Sequence, residues 1–187
     1  LRPDPVVSRC GRARSVDPAA VTPIVVRDGT TLDVRAIGPD DAASLVEFHE
    51  RLSIESTRLR FFSPHPTLTA EEVERFTHVD HDRREAVLVL DGPEVVAVAR
   101  YEGLPDDVAA EVAFVVAEAW QGKGIATELL HRLAELAAGR GYQKLVADTL
   151  WENRAMVSVF EQSGLPEHHT IDQGVLHFAM ELDVPPD

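Results

Sequence analysis

A glycine-rich turn joins an apolar strand to an amphipathic helix in the middle of the chain. The segment reads AFVVAEAWQGKGIATELLHRL over residues 113–133. Gly122 and Gly124 stand where the helix should begin, although glycine inside a helix costs about 0.5–1 kcal/mol relative to alanine. The first amides of a helix have no partner within it, and together with the helix dipole they favour an anion. The sequence therefore predicts a phosphate site at this turn, with Lys123 adding a positive charge.

Two common nucleotide-binding loops do not fit this turn. A nucleotide P-loop requires G-x-x-x-x-G-K-[ST], and the turn from Gly122 to Gly124 is much shorter. A dinucleotide-binding loop requires G-x-G-x-x-G, and Thr127 stands where the third glycine belongs. The sequence therefore excludes both classes of ligand site.

Strand and helix patterns alternate along the rest of the chain. Apolar runs predict strands over residues 31–37, 85–90, 94–101, 110–116 and 144–150, followed by a closing hairpin formed by EHHTID and VLHFAMEL. Helical spacing predicts helices over 39–52, 53–62, 69–76 with a capping box from Thr69 to Glu72, 122–139 and 153–164. This order favours an α/β (α+β) domain in which a mixed sheet carries helices on both faces.

Charge and cysteine content exclude several classes of partner. Lys and Arg number 18 against 32 Asp and Glu, so the formal charge is −14 and phosphate backbones and anionic membranes are repelled. The single cysteine, Cys10, allows no internal disulfide, which fits a reducing, cytoplasmic location. Apolar runs long enough to span a membrane, about 18 residues, are absent. HVDHD, at 78–82, matches no zinc spacing, so we expect no metal. Charge and the lack of long apolar runs likewise predict no nucleic acid and no membrane partner.

The composition of the two ends differs from that of the middle. Residues 1–22 are rich in proline and arginine without apolar periodicity, which predicts a flexible arm. We expect one domain over residues 23–183 and a tail or the start of a linker at VPPD, residues 184–187. Because the chain begins at Leu1, we expect it to be one domain of a longer product.

Three motifs resemble those of one enzyme superfamily. Gln-x-x-Gly-x-Ala, from Gln121 to Ala126, is similar to the pyrophosphate loop of the GNAT superfamily of acyl-CoA-dependent N-acetyltransferases. ENRAMVSVFEQSGL, residues 152–165, resembles its second cofactor motif, and AEVAF, residues 110–114, resembles the strand that enters the cofactor cleft. The resemblance implies acetyl-CoA as cosubstrate without a metal. It also implies a mostly antiparallel GNAT-like sheet of about six or seven strands.

The resemblance also assigns residues to acetyl-CoA. Backbone amides of the splayed strand over 114–116 would pair with the pantetheine arm and supply a donor to the oxyanion. Asn153 would contact the cofactor, or it would only cap the helix that it begins. The implied cofactor-binding residues are Phe114, Val115, Val116, Gln121, Gly122, Lys123, Gly124, Ile125, Ala126, Thr127 and Asn153.

Acetyl transfer to lysine requires a neutral amine. Free lysine has a pKa of about 10.4, so neutralising it at pH 7 costs on the order of 4–5 kcal/mol. In similar histone-acetylating enzymes the glutamate of AE[IV]-x-F takes the proton, which makes Glu111 the expected base and Glu102 the alternative. Glu111 is otherwise an ordinary acidic residue at a strand end. Phe160 stands where the family often has a tyrosine, so the sequence indicates no general acid.

Longer segments resemble the Pat-type bacterial protein acetyltransferases. They are residues 23–41, 53–62 and 111–130. This resemblance implies a protein lysine as acceptor, often on an acyl-CoA synthetase, and a domain often fused to a further region. Arg58 and Arg60 would line an acceptor groove, or belong to a helix that packs its aromatic residues inward. Two alternatives stay open, a small-molecule amine N-acetyltransferase and a non-catalytic acyl-CoA-sensing module.

Overall fold

The computed structural model describes residues 21–183. The predicted arm over residues 1–22 lies outside this range except for Val21 and Thr22, and Thr22 already begins the first strand. The predicted tail over residues 184–187 also lies outside the described residues.

Eight strands and five α-helices make up the described residues. The strands are β1 (Thr22–Val25), β2 (Thr31–Ala36), β3 (Arg84–Asp91), β4 (Glu94–Gly103), β5 (Ala109–Val116), β6 (Lys144–Leu150), β7 (Glu167–Asp172) and β8 (Val175–Glu181). The helices are α1 (Ala42–Arg51), α2 (Ile54–Phe61), α3 (Ala70–Thr77), α4 (Ile125–Gly139) and α5 (Arg154–Glu161). Single 3-10 turns precede α1 and α4, at Pro39–Asp41 and Glu118–Trp120.

All eight strands form one sheet in the order β1-β2-β3-β4-β5-β6-β8-β7. Neighbouring strands run antiparallel except β5 and β6, which are parallel. The predicted mixed, mostly antiparallel sheet is confirmed, with one strand more than expected. The additional strand is β1, which pairs with β2 through a turn where Asp28 accepts a hydrogen bond from the Thr30 amide at 3.0 Å.

Helices cover both faces of the sheet, as predicted. On one face α4 buries Leu129, Leu130 and Leu133 completely against β4, β5 and β6. On the other face α1 packs Leu45 and Phe48 against the opposite side of β3 and β4. Since both faces of these central strands are covered, they read in the sequence as nearly continuous apolar runs rather than as alternations.

Capping side chains fix where the helices of the second face begin. The Thr69 hydroxyl accepts from the Glu72 amide at 3.2 Å, and the Glu72 carboxylate accepts from the Thr69 amide at 2.8 Å, so the predicted capping box is confirmed. Ser53 caps α2, and the Glu118 carboxylate accepts from the Ser53 amide at 2.9 Å. That bond fastens α2 to the turn before α4, which brings α2 next to the glycine-rich loop.

Candidate active site

The two parallel strands separate after a short pairing and open a cleft. β5 and β6 pair only from Ala109 with Lys144 to Glu111 with Val146. Beyond that point β5 stays with β4 to Val116, whereas β6 stays with β8 to Leu150. The resulting cleft has a volume of about 870 Å³ and is lined by α2, β5, β6, the start of α4 and the length of α5.

The glycine-rich turn lies at the floor of this cleft with its amides free. Gly122 has φ +73° and Gly124, which precedes α4, has φ +90°, a backbone conformation that residues with a Cβ rarely adopt. The amides of Ile125, Ala126 and Thr127 open the helix and have no helical partners. All three residues line the cleft, so the turn has the geometry predicted for an anion site.

The structure does not bring Lys123 into the cleft, contrary to expectation. Its ammonium lies 2.9 Å from the Asp28 carboxylate and 4.4 Å from the ring centroid of Trp120. The hydrogen bond from Lys123 lowers the pKa of Asp28 well below its usual range. Lys123 is absent from the cleft lining because the β1–β2 hairpin holds it on the outer side of the loop.

Arg27 places a positive charge beside the glycine-rich turn instead. Its backbone amide donates to the Lys123 carbonyl at 3.0 Å, which seats the hairpin on the loop. A Cβ at Gly124 would lie 3.4 Å from Arg27 Nε, so the guanidinium lies directly beside the turn. Arg27 was not predicted from the sequence, because this contact joins segments far apart in the chain.

Strand β5 presents its backbone to the cleft while its side chains pack elsewhere. Phe114 is buried in the core under α4, and Val115 packs with the opposite face. The Gln121 side chain donates to the Val116 carbonyl at 2.9 Å and so ties the loop to the end of β5. Packing of these side chains in the core leaves backbone groups of the strand facing the cleft.

The second cofactor motif also reaches the cleft. Asn153 accepts from the Met156 amide at 3.2 Å, so it caps α5 and at the same time lines the cleft. Thr149, which sequence analysis did not single out, buries its hydroxyl on the cleft wall without a hydrogen-bond partner among the described residues. Phe160 is buried between Phe114 and Phe178 and serves as core. The unpartnered hydroxyl of Thr149, the unpaired edge of β5 and the start of α4 together suit a long ligand that carries both amides and phosphates.

Glu111 stands at the point where the cleft begins. It is the last residue of β5 that pairs with β6, and its side chain is exposed. Glu102 lies directly opposite on β4, but its carboxylate accepts a hydrogen bond from Arg75 at 2.7 Å. Among the described residues Glu111 forms no ion pair, so its carboxylate can accept a proton while that of Glu102 is engaged.

A second, smaller pocket opens on the other side of Glu111. Its volume is about 310 Å³, and it lies between α2, α3 and strands β3 to β5. Arg60, Phe61, Glu111 and Ala113 line both cavities. Glu111 therefore lies between a long cleft and a short pocket, a position suited to moving a proton between two bound groups.

Residues 21–183 contain neither a metal-type cluster of side chains nor a membrane-spanning helix. Within that range no three His, Cys, Asp or Glu side chains are grouped as they would be around a metal ion. The helices of the same range are all too short or too polar to cross a bilayer.

Comparison with known proteins identifies the family. Residues 50–165 match the acetyltransferase (GNAT) family. This range includes the glycine-rich loop, strand β5, which lines both cavities, and the second cofactor motif. The chain belongs to the GNAT acetyltransferase family. This confirms the family expected from the three motifs and places the chain among acyl-transferring enzymes.

Two relatives and one more distant structure illustrate the range of the GNAT family around this chain. The GNAT domain of S. lividans PAT is 38% identical, with a TM-score of 0.82 over 87% of this chain and 97% of that one. Acetyltransferase Pat of Mycolicibacterium smegmatis is 31% identical over 88% of this chain, which spans about half (49%) of that relative's length. YncA from Salmonella typhimurium, solved with its cofactor acetyl-CoA, shares the fold at 19% identity and a TM-score of 0.65 over 83% of this chain and 98% of that one.

Proposed function

We propose that this GNAT domain transfers an acetyl group from acetyl-CoA to a lysine side chain of a protein, with Glu111 as the general base. The observation that carries the proposal is the position of Glu111, unpaired and exposed, where the long cleft meets the short pocket. Acetyl-CoA would occupy the cleft, and the lysine would enter through the pocket.

Several groups of the chain suit the binding of acetyl-CoA. The free amides of Ile125, Ala126 and Thr127 would hold the pyrophosphate, with Arg27 neutralising its charge. The backbone of β5 over 114–116 would pair with the pantetheine amides, and the Thr149 hydroxyl would gain the partner that it lacks. Asn153 would support the same arm from the start of α5.

Proton removal is the main task left to the chain. The bound lysine gives its proton to the Glu111 carboxylate, directly or through a water, and the neutral amine attacks the thioester carbonyl. A carbon–nitrogen bond forms, the carbon–sulfur bond breaks, and the thiolate leaves to take a proton. A thiol pKa of about 8.5 makes this leaving group acceptable without a tyrosine, and Phe160 cannot act as an acid.

A protein acceptor is supported by similarity and by the surface beside the cleft. The resemblance to Pat-type enzymes implies lysine on a protein, and we propose an acyl-CoA synthetase-type enzyme as that protein. Helix α2 and the residue after it expose apolar side chains, Ile54 at 75% and Phe62 at 42%, and Phe62 lines the cleft. Exposed apolar groups of this kind are common where another protein docks.

Acetyl-CoA turnover with two sets of acceptors tests the function. Purified acyl-CoA synthetases form one set and small amines, amino acids and amine drugs form the other. We expect thiol release with the proteins and acetyl-lysine in their digests by mass spectrometry. Turnover with small amines alone would favour the small-molecule alternative, and tight acetyl-CoA binding without any turnover would favour a sensing module.

A further inference from the structure

The pocket beyond Glu111 contains four arginines whose partners differ. Arg75 is paired with Glu102 at 2.7 Å, and Arg84 lies 3.7 Å from Asp80. Arg60 and Arg100 line the same pocket but form no ion pair among the described residues. Two of the four guanidinium groups in the pocket are therefore without a counter-ion.

The carboxylates that line the pocket do not neutralise Arg60 and Arg100. Glu72 accepts from the Thr69 amide at 2.8 Å, and buried Glu85 lies 2.8 Å from a His81 ring nitrogen. Glu102 is occupied by Arg75. Glu111 acts on Arg60 through space only, outside ion-pair distance. Each carboxylate other than the base thus has a partner of its own.

Aromatic rings hold the two unpaired guanidinium groups in place. Arg60 lies 4.9 Å from the ring centroid of Phe61, and Arg100 lies 4.1 Å from that of Phe76. Burial lowers the pKa of Arg60 to about 10, and burial together with the nearby Arg60 and Arg75 charges lowers the pKa of Arg100 to about 9. Both side chains stay charged at neutral pH, and an anion between them would relieve their desolvation and repulsion.

We propose that Arg60 and Arg100 bind a carboxylate of the acceptor, so that the domain prefers a lysine next to an acidic residue. The inference rests on the proposed function and names the substrate feature that the pocket selects. Arg100 lies opposite Ala113, two residues from Glu111 on the same face of the sheet, which places its backbone roughly 7–8 Å from that of Glu111. A carboxylate beside the lysine can therefore reach the arginines while the amine faces Glu111.

An acidic acceptor needs a local attraction, because the charge of the whole chain does not favour its binding. A net charge of −14 repels an acidic segment at long range. At physiological ionic strength this repulsion is screened beyond about 8 Å, so local contacts decide recognition. Two guanidinium groups without a counter-ion at the acceptor position would provide that local attraction.

Matched synthetic peptides test the inference. Both peptides carry one central lysine, flanked by aspartates in one and by asparagines in the other. We measure kcat and KM at saturating acetyl-CoA, and calorimetric binding of each peptide to the CoA-bound enzyme. The aspartate peptide should bind about tenfold or more tightly than the asparagine peptide. Arg100→Gln, which changes the small pocket only, should remove this difference without changing acetyl-CoA affinity. Arg60→Gln should also remove it, whereas the control Arg83→Gln, outside both cavities, should keep it.

Other outcomes separate this inference from the proposed function. L-Lysine and L-lysinamide differ only in the free carboxylate. If lysine alone is acetylated and neither peptide is, the carboxylate site stands and the protein acceptor falls. If both peptides bind alike, the carboxylate site is refuted. It is also refuted if neither peptide binds and L-lysine is acetylated no better than L-lysinamide. The same holds if Arg100→Gln lowers kcat equally for both peptides and shifts the acid limb of the pH profile, because the arginines would then act on the amine itself.

Discussion

At the scale of single residues, the two facing glutamates of β4 and β5 differ in what surrounds them. Glu102 is held by Arg75, whereas Glu111 has no ion-pair partner among the described residues and lies at the junction of the two cavities. The sequence pattern selected Glu111 through its position in AEVAF, and the structure adds a physical reason for preferring it over Glu102.

Replacing Glu111 tests its role as the base. Glu111→Gln keeps the shape of the side chain and removes the proton acceptor, so turnover should fall by about 10²–10⁴ while acetyl-CoA affinity stays unchanged. Raising the pH should partly restore turnover because more of the lysine is then neutral. Steady-state kinetics over a pH range and calorimetry give both readouts. Glu102→Gln is the matched control, and a larger loss in that variant would transfer the role of the base to Glu102.

We expect Arg27 and Lys123, the two cations next to the glycine-rich loop, to contribute differently to cofactor binding. Arg27→Gln removes a charge that faces the cleft and should weaken acetyl-CoA binding about tenfold, whereas Lys123→Gln removes one already paired with Asp28 and should weaken it much less. Calorimetry with dephospho-CoA locates the contact. If Arg27→Gln weakens the binding of dephospho-CoA as much as that of acetyl-CoA, Arg27 contacts the pyrophosphate. If it does not weaken dephospho-CoA binding, Arg27 contacts the 3′-phosphate. A greater loss with Lys123→Gln would contradict the assignment.

Sequence alone predicted the residues of the cleft that lie within continuous motifs. The glycine turn, the β5 backbone and Asn153 all line the cleft because each belongs to a local strand–turn–helix pattern. Arg27, Thr149 and Arg100 were not predicted. Each contributes to the site only because segments distant in the chain come together in the fold. The ion pair of Lys123 with Asp28 could not be predicted from the sequence of the loop for the same reason.

At the scale of helices and strands, apolar periodicity predicted most elements correctly. Residues close together in the chain determine which face of a helix or strand is apolar and becomes buried. Strand β6 and the capping box of α3 were predicted at their observed positions. Strand β1 was not predicted because it has four residues and contains Pro23, which is tolerated at a sheet edge. Helix α4 ends at Gly139, and Gly141 has the positive φ, +91°, expected after a helix.

The end of β4 provides a test of packing between elements. A Cβ at Gly103 would lie 2.7 Å from Cζ of the buried Tyr142 ring, so Gly103→Ala should reduce the free energy of unfolding by about 1–3 kcal/mol. Urea denaturation measures the change. Gly139→Ala is the control, since nothing lies within 4 Å of its Cβ and it ends a helix, and it should be neutral or stabilise by up to about 1 kcal/mol. Equal effects of the two substitutions would contradict the packing explanation.

At the scale of the whole molecule, one ion pair makes stability depend on pH. Asp41 is buried and accepts hydrogen bonds from Arg35 at 2.6 and 2.8 Å and from the Gly38 amide at 2.8 Å. The hydrogen bond from Arg35 lowers the pKa of Asp41, despite the opposing effect of burial. The folded state therefore binds this proton less readily than the unfolded state, whose pKa is about 3.9. The resulting stability is present above that value and is lost as the pH falls through the folded pKa.

Asp41→Asn measures this contribution. At neutral pH the variant should lose about 2–3 kcal/mol of unfolding free energy, because a charged hydrogen-bond network is broken. The difference from the unsubstituted protein should begin to shrink below about pH 4, where the unfolded state takes up the proton, and should be lost as the pH falls through the lowered folded pKa of Asp41. Urea denaturation at several pH values gives the comparison. A difference that stays constant over pH would assign the effect to the geometry of the turn before α1.

The early separation of β5 from β6 has a mechanical consequence. Within residues 21–183, the β5–β6 ladder that links the five strands on one side to the three on the other has three residue pairs, from Ala109–Lys144 to Glu111–Val146, extended by one backbone hydrogen bond from Gln143 to Val108. A side-chain bridge from Arg58 to Glu152, at 2.8 Å, spans the same seam. A pulling force between Thr22 and Glu181 should rupture the sheet first along this line. A ligand bound between the two strands would contact both and hold them together. The rupture force in single-molecule stretching should therefore rise when acetyl-CoA is present. An unchanged force would show that the pulling force is not transmitted through the cleft.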